Sequence, residues 1–139
     1  MLIFISHSST DTWVARQIAR EVKSRGARTF LYETDVDVGE DFEEKILSSL
    51  ENADQMLVLL TPWAMDRLYV WAEVGAAWGL RIPIFPFLYG ETPAEFVRRS
   101  GVPVFLKKRD LLDINQFDVY LKQLETRMDA RAARIGTND

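Results

Sequence analysis

Short apolar runs alternate with amphipathic stretches along the whole chain. The runs at residues 2–6 and 55–61 are apolar on both faces, as the central strands of a parallel sheet are. Between them, Val14, Ile18 and Val22 recur at the four-residue spacing of a helix. The repeated alternation predicts an α/β fold, in which a parallel sheet carries helices on both faces and right-handed crossovers join them.

The apolar runs also place the individual strands. Strands are predicted at residues 2–6, 27–32, 55–61, 82–88 and 102–106. Pro83 and Pro86 lack the N–H of a ladder hydrogen bond, so the fourth strand is predicted to be irregular or to lie at an edge.

The end of the chain predicts a long helix that begins near Phe117 and carries Leu121 and Leu124 on one face. The sequence contains neither an internal repeat nor a linker. Residues 1–139 are therefore predicted to form a single domain, with a folded core over residues 1–129 and a frayed tail from Ala130 onward.

The stretch at residues 68–80, LYVWAEVGAAWGL, predicts a helix that places one carboxylate among aromatic and small residues. On a wheel of about 3.6 residues per turn, one face gathers the residues predicted to pack on the core: Val70, Trp71, Val74, Ala77 and Trp78. Glu73 falls at the edge of that face, with Tyr69 one turn before it and Ala76 one turn after it. Glu73 is either a boundary carboxylate whose head group reaches water or the floor of a cleft.

Ligands of parallel α/β folds bind beyond the carboxyl ends of the strands. Three segments that are distant in sequence meet this condition. They are the polar loop from His7 to Ser9, the acidic segment from Glu33 to Asp41, and the start of the Glu73 helix. We expect these segments to converge on one rim of the sheet.

The composition is that of an ordinary globular domain, with 47% hydrophobic and 27% charged residues. The net charge of -4 gives no electrostatic reason to expect a nucleic acid, and a solvated strand end explains the basic run from Lys107 to Arg109. The longest apolar run is far shorter than the roughly 20 residues of a membrane span. Neither a nucleic acid nor a membrane is expected as a partner.

Cysteine is absent and His7 is the single histidine. This composition excludes disulfides, thiolate metal sites and a cysteine nucleophile, and no metal site is expected. A chain without cysteine fits a reducing compartment, so a cytoplasmic location is expected.

Several common binding motifs are missing or incomplete. Neither GxGxxG nor GxxxxGK[ST] occurs, so the dinucleotide fingerprint and the P-loop are absent. Asp35, Asp37 and Gly39 suggest a calcium loop. Glu40 and Ile46 occupy its sixth and twelfth places, where an EF-hand needs glycine and glutamate, so calcium is rejected.

The loop after the first strand disfavours two classes of protein. A response-regulator receiver shares this order of elements but needs an acidic pair there, where this chain has His7 and Ser8. A nucleophilic serine with a histidine base is also disfavoured, because one loop rarely aligns both residues.

Four motifs in series resemble a Toll/interleukin-1 receptor (TIR) domain of the bacterial type. The motifs are FISHSS at 4–9, DVDVG at 35–39 with the Phe42 helix behind it, LLTPWA at 59–64 and YVWAEVGAAW at 69–78. The resemblance covers nearly the whole chain and implies a flavodoxin-like fold with a five-stranded parallel sheet. It also implies homotypic self-assembly through the BB loop of the family, which here runs from Glu33 to Asp41.

The resemblance implies a catalytic residue and a set of substrate contacts. Many members of the family cleave NAD+ with one glutamate of the third helix, and Glu73 matches it. The implied substrate-binding residues are His7, Ser8, Ser9, Asp37, Phe42 and Tyr69. The family often has tryptophan four residues before the glutamate, so Tyr69 keeps an aromatic ring but changes the stacking surface.

A single carboxylate could suffice for this reaction. Nicotinamide leaves a pyridinium as a neutral molecule, so the general acid of ordinary glycosidases is not needed. Glu73 would orient the ribose and stabilise positive charge at its C1′. A pocket formed by Tyr69 and small residues would raise the pKa of this carboxyl, and a bound cation would oppose that rise.

Three functions follow as hypotheses. The first is an NAD+ nucleosidase that releases nicotinamide and ADP-ribose, or a cyclic isomer, in bacterial immune or defence signalling. NAD+ would be its substrate, and no cofactor is expected. The second is a scaffold without activity that acts by homotypic interaction. The third is an enzyme similar to nucleoside deoxyribosyltransferases, which also use a glutamate on a similar fold.

Overall fold

A computed structural model describes residues 1–32 and 42–137 of the chain. The segment at residues 33–41, with Asp37, the rejected calcium motif and the predicted assembly loop, lies outside the described residues. Of Phe42, only the backbone is described.

The described strands form one parallel sheet, which confirms the predicted α/β fold. They are β1 (Leu2–Ser6), β2 (Arg28–Phe30), β3 (Gln55–Leu60), β4 (Ile84–Leu88) and β5 (Leu112–Asp113). Their order in the sheet is β2-β1-β3-β4-β5. β1 ends opposite Val58, two residues before the end of the neighbouring strand β3, since Ser6 is in register with Val58. β2 and β4 are shorter than the sequence predicts.

Helices pack on both faces of this sheet. They are α1 (Thr12–Ser24), α2 (Phe42–Glu51), α3 (Leu68–Gly79), α4 (Pro93–Arg98), α5 (Val104–Lys107) and α6 (Phe117–Thr137). Side chains of a strand alternate between faces. Ile3 and Ile5 therefore share a core with α1 and α6, while Phe4 shares the opposite core with α2 and α3. The loops beyond the carboxyl ends of the strands are left to form a site.

The predicted fifth strand at residues 102–106 is wrong, because this segment enters the helix α5 and the strand comes later, at Leu112–Asp113. Val102 and Leu106 are buried, whereas Val104 between them is 64% exposed. A strand would place all three side chains on one face, so the exposure of Val104 between two buried residues is inconsistent with a strand. Pro103 is the N-cap residue of this helix, and it cannot donate the N–H of a strand hydrogen bond.

The prolines of the fourth strand predict an irregular strand or one at an edge. The edge position is wrong, because β4 lies between β3 and β5. The amide of Tyr89 donates to Leu60 O. Alternate residues of a strand direct their N–H groups to the same side, so the nitrogen of Pro86 faces the β5 side. Pairing with β5 begins only at Phe87. Pro86 therefore removes no ladder hydrogen bond, and an interior strand tolerates it.

The last helix continues past Ala130, where the sequence predicts a frayed tail, and ends at Thr137. Residues 130–135 are exposed, so these final turns contribute little to the core. None of the helices within residues 1–32 and 42–137 is both long and apolar enough to cross a membrane.

Candidate active site

Glu73 is buried where α3 passes the end of β1. The residue is only 5% exposed, because Val70 and Val74 anchor this turn of α3 in the core against the sheet. Ser6 is the last residue of β1, and its Oγ donates a hydrogen bond of 2.9 Å to Glu73 Oε1. Of the two positions that the sequence leaves open for Glu73, the exposed boundary is therefore excluded.

The electrostatics of Glu73 are those of a buried carboxyl without a cation beside it. Burial raises its pKa to about 8, and the hydrogen bond from Ser6 opposes the rise. The pKa of Glu73 is thus shifted upward, which is the direction that the sequence predicts. None of the ion pairs among the described residues includes Glu73. Within residues 1–32 and 42–137, no cluster of His, Asp and Glu side chains could hold a metal ion.

Glu73 lines a cleft of about 240 Å³ between α2 and α3. On the α3 side its neighbours are Tyr69, Ala72 and Ala76. The α2 side is lined by Glu43, Ile46, Leu47 and Leu50. Alanine side chains are too short to fill the space beside the carboxyl, so a ligand group can enter there. These neighbours fit the prediction that Glu73 forms the floor of a cleft.

Tyr69 connects the two walls of this cleft. Its hydroxyl donates a hydrogen bond of 2.8 Å to Glu43 Oε1, and this bond raises the pKa of Tyr69. The side chain is half-exposed and lies one turn before Glu73 on α3. An aromatic ring, a hydroxyl and a second carboxylate thus border the space above Glu73.

The loop after β1 places its three predicted contact residues in different surroundings. His7 and Ser8 are buried, whereas Ser9 is exposed. The ring of His7 stacks on Tyr32, with 5.9 Å between centroids and 28° between planes. Since Tyr32 follows β2, this contact joins the ends of two neighbouring strands. Substrate binding by these residues, and by Asp37 outside the described part, stays a prediction.

Asp11 holds the β1 loop against the end of β3. Its Oδ2 accepts hydrogen bonds from Ser8 Oγ, at 2.7 Å, and from Thr61 Oγ1. Thr61 in turn accepts a hydrogen bond of 3.1 Å from the amide of Ala64. These side chains, which we call the Asp11 network (Ser8, Asp11 and Thr61), are all buried. The network fixes the loop that follows Ser6 and so supports the position of that residue.

The prediction that Trp71 and Trp78 belong to the core is wrong for Trp78. Trp78 is 54% exposed and stacks on Phe105 of α5, with 4.9 Å between centroids and 10° between planes. Trp71 is half-buried, and its Nε1 donates a hydrogen bond of 2.9 Å to Met65 O. A helical wheel could not place Trp78 correctly, because its partner lies in a segment that the sequence predicts as a strand.

Sequence reasoning missed four residues that shape the site: Ser6, Asp11, Glu43 and Thr61. Ser6 and Thr61 had a usable signal, since each is the first polar side chain after a run of apolar strand residues. Such positions fall at the carboxyl ends of central strands, where ligands bind. No feature of the sequence around Glu43 indicates its role, because that role depends on how α2 packs beside α3.

Comparison with known proteins identifies a family. The sequence matches the family described as TIR domain over residues 3–126. No match is found among curated proteins. The fold is similar to the TIR domain of the Toll-related Receptor TRR-2 from Hydra magnipapillata. That structure is 26% identical with a TM-score of 0.64, and the match covers 95% of this chain and 97% of that one.

Two further solved structures share the fold. One is a metazoan TIR-STING receptor from C. gigas in complex with 2′,3′-cGAMP, which is 19% identical with a TM-score of 0.70. The match covers 86% of this chain and 38% of that one. The other is a 2-desoxiribosyltransferase from Leishmania mexicana, 13% identical with a TM-score of 0.66, with coverage of 87% of this chain and 97% of that one. At these identities the likeness concerns the fold alone.

Proposed function

We propose that this chain, which belongs to the TIR domain family, is an NAD+ nucleosidase that releases nicotinamide and forms ADP-ribose or a cyclic isomer. The observation that carries the proposal is Glu73, a buried carboxyl that opens onto a cleft and has only the neutral Ser6 as its hydrogen-bond partner among the described residues. The family includes enzymes that cleave NAD+, and a buried carboxyl beside a cleft supports this chemistry.

The reaction breaks the bond between the nicotinamide nitrogen and C1′ of the ribose. The bond electrons stay with nicotinamide, which leaves as a neutral molecule, so no proton donor is needed. Positive charge develops at C1′, and the carboxylate of Glu73 stabilises it in a site with little competing water. Water adds at C1′ and loses a proton to give ADP-ribose. A nucleophile of the same substrate gives a cyclic product instead.

The raised pKa of Glu73 fits a binding step that precedes this chemistry. At neutral pH a carboxyl with a pKa of about 8 is mostly protonated. The pyridinium of NAD+ carries a positive charge, and a nearby positive charge favours the ionised form of a carboxyl. Substrate binding would therefore generate the carboxylate, with release of a proton, at the moment when it is required.

The decisive experiment measures nicotinamide release by purified protein. Glu73→Gln keeps the size and the hydrogen bond to Ser6 but cannot carry charge, and we expect it to lower the rate at least about 100-fold. Glu51→Gln, an exposed change at the end of α2 that does not line the cleft, should retain the wild-type rate. Equal turnover by Glu73→Gln and wild type would refute the enzymatic assignment.

A non-enzymatic scaffold is the second candidate, and the match to the TIR domain of a Hydra receptor over nearly the whole of both chains favours it. TIR domains self-associate, and we propose that this chain does so through the loop at residues 33–41. Activity is therefore to be measured over a range of protein concentrations. Self-association without nicotinamide release at any concentration would favour the scaffold. Activity on deoxynucleosides but not NAD+ would instead assign the chain to deoxyribosyl transfer.

The setting of the activity is part of the same proposal. We place the enzyme in the cytoplasm, since a chain without cysteine fits a reducing compartment. The resemblance to bacterial TIR domains supports a role in immune or defence signalling. Mass analysis of the product separates linear ADP-ribose from its cyclic isomers.

A further inference from the structure

We propose that Ser6 is a positioning residue, which holds Oε1 of Glu73 and favours the charged carboxylate that the reaction uses. This inference rests on the proposed NAD+ cleavage, because it gives Ser6 a role in that same site. Ser6 would touch Glu73 and not the substrate. Its effect on the reaction would therefore pass entirely through the orientation and the charge of Glu73.

The geometry makes Ser6 a rigid donor. Its backbone is fixed at the end of the central strand β1, in register with Val58 of β3. Its side chain is buried and has a single torsion, so little freedom is lost when the hydroxyl meets the carboxyl. The Asp11 network holds the loop that follows directly, through Ser8. The position of Ser6 is thus fixed by the strand that precedes it and by the loop that follows it.

The hydrogen bond leaves the second oxygen of Glu73 available. Ser6 occupies Oε1, and no other described residue forms a hydrogen bond to this carboxyl. Glu73 also lines the cleft between α2 and α3. With one oxygen held on the sheet side, the other is presented to a ribose hydroxyl or to C1′.

The electrostatic part of the proposal depends on what surrounds Glu73. Desolvation raises its pKa, and the Ser6 hydroxyl is the group that lowers it. α3 packs against β1, β3, β4 and α2. β3 and β4 contain no titratable residue, whereas α2 contributes Glu43 to the cleft, α3 itself contributes Tyr69, and His7 follows Ser6 in the chain. These three groups are unchanged in every variant used below.

The test measures kcat/KM for NAD+ against pH in the full chain. Removal of the hydroxyl in Ser6→Ala withdraws the one interaction that favours the charged carboxylate. We expect the acid limb of the profile to move to higher pH by roughly one unit. Near pH 7.5 that shift lowers kcat/KM about tenfold, by reducing the ionised fraction. Ser6→Thr, which keeps a hydroxyl, should return the limb toward the wild-type position.

Thr29→Val provides the matched control. Thr29 lies on β2 beside β1, and its buried Oγ1 forms no hydrogen bond with any described residue. The control removes a strand hydroxyl without touching Glu73, so its acid limb should coincide with that of wild type. A purely structural role of Ser6 would lower the whole profile without moving the limb, and that result would overturn the proposal.

A second measurement separates this proposal from the proposed function. The carboxyl carbon of Glu73 is followed against pH by NMR in protein with ¹³C-labelled glutamate and without NAD+, using Glu73→Gln to assign the signal. A higher titration midpoint in Ser6→Ala than in wild type supports the role of Ser6, even in a chain that cleaves no NAD+. An unchanged midpoint overturns it, whatever the activity.

Discussion

Glu73 and Glu91 are both buried beyond the carboxyl ends of strands, yet their surroundings differ. Glu73 is 5% exposed and accepts a hydrogen bond from the neutral Ser6. Glu91 is 7% exposed and forms an ion pair with Arg99. The two carboxyls belong to neighbouring regions, since Glu91 follows β4 and Glu73 sits on the helix that precedes it.

The ion pair at Glu91 has a structural explanation. Glu91 precedes α4 and Arg99 follows it, so the ion pair connects the two ends of one short helix. Lys107 of α5 donates a hydrogen bond to Arg99 O and ties the next helix to the same point. The buried charge of Glu91 thus has a cation inside the protein, which binds Oε1, while the buried Oε2 has no hydrogen-bond partner among the described residues.

Glu73 lacks such compensation among the described residues. A hydroxyl offsets only part of the cost of burying a carboxylate, and the pKa near 8 reflects the remainder. The ionised form of Glu73 therefore becomes favourable when a cation enters the cleft from outside. The comparison shows why a buried carboxyl is by itself a weak sign of function, whereas one without a cation beside an open cleft is a stronger sign.

The largest expected effect is on the pH dependence of stability. Glu73 has a pKa of about 8 in the folded protein, above the value of 4.5 for a solvated carboxyl. The stability that its bound proton provides is complete below pH 4.5 and is lost as pH rises through 8. We expect wild type to lose about 4 kcal/mol relative to Glu73→Gln between about pH 5 and pH 8.5. Denaturant unfolding at several pH values measures this difference.

Glu51→Gln again serves as the control for this measurement, because residue 51 is exposed at the end of α2. Its curve of unfolding free energy against pH should run parallel to that of wild type. If the curve of Glu73→Gln were also parallel, Glu73 would not titrate near pH 8 in the folded protein. The contrast with Glu91 would then lose its physical basis.

Substitution of Glu91 should lower the stability of the protein and leave its activity unchanged. Glu91→Gln leaves the partly exposed guanidinium of Arg99 without its anion, and we expect a loss of about 2 kcal/mol of unfolding free energy. Nicotinamide release per folded molecule should stay at the wild-type level, because Glu91 does not line the cleft of Glu73. Unfolding and activity assays on the same preparation separate the two effects.

A double variant tests the origin of that loss. Arg99→Gln combined with Glu91→Gln removes both charges, so the combined cost should be smaller than the sum of the two single costs. Additive costs would mean that the pair contributes little. A loss of activity in Glu91→Gln beyond its unfolded fraction would mean that the two carboxyls act in one site.

The fold could be predicted from the sequence because its elements have distinct periodicities. The run from Met56 to Leu60 is apolar on both faces, which favours a central strand, and Val14, Ile18 and Val22 recur at the spacing of a helix face. The prediction of the fifth strand was wrong because the apolar residues Val102, Val104 and Leu106 occur at every second position, as in a strand. Their packing decides otherwise, and packing is a tertiary property that local periodicity does not contain.

The site could be predicted only in part, for a related reason. Glu73 stood out because its neighbours in the helix are small or aromatic, which is local information. Its partner Ser6 is 67 positions away along the chain, and Glu43 reaches Tyr69 across the gap between two helices. Such contacts are set by the register of β1 and by the packing of α2, which a single sequence does not specify.

The smallest expected effect concerns the contact between the two regions. Trp78 of α3 stacks on Phe105 of α5, and this contact links the helix of Glu73 to the region of Glu91. Because Trp78 is 54% exposed, Trp78→Ala should cost only about 1 kcal/mol of unfolding free energy. Trp13→Ala is the control, since Trp13 is 70% exposed and stacks on no ring among the described residues, and it should cost less.

Trp78→Ala tests whether Glu73 and Glu91 contribute independently to the unfolding free energy. If they do, its unfolding free energy should show the same pH dependence as that of wild type, and its cost should add to that of Glu91→Gln within about 0.5 kcal/mol. Strong non-additivity, or a changed pH dependence, would mean that the stack couples the Glu91 ion pair to the cleft. Glu91 would then help to set the charge of Glu73 through Trp78, and the separation of a structural carboxyl from a functional one would have to be abandoned.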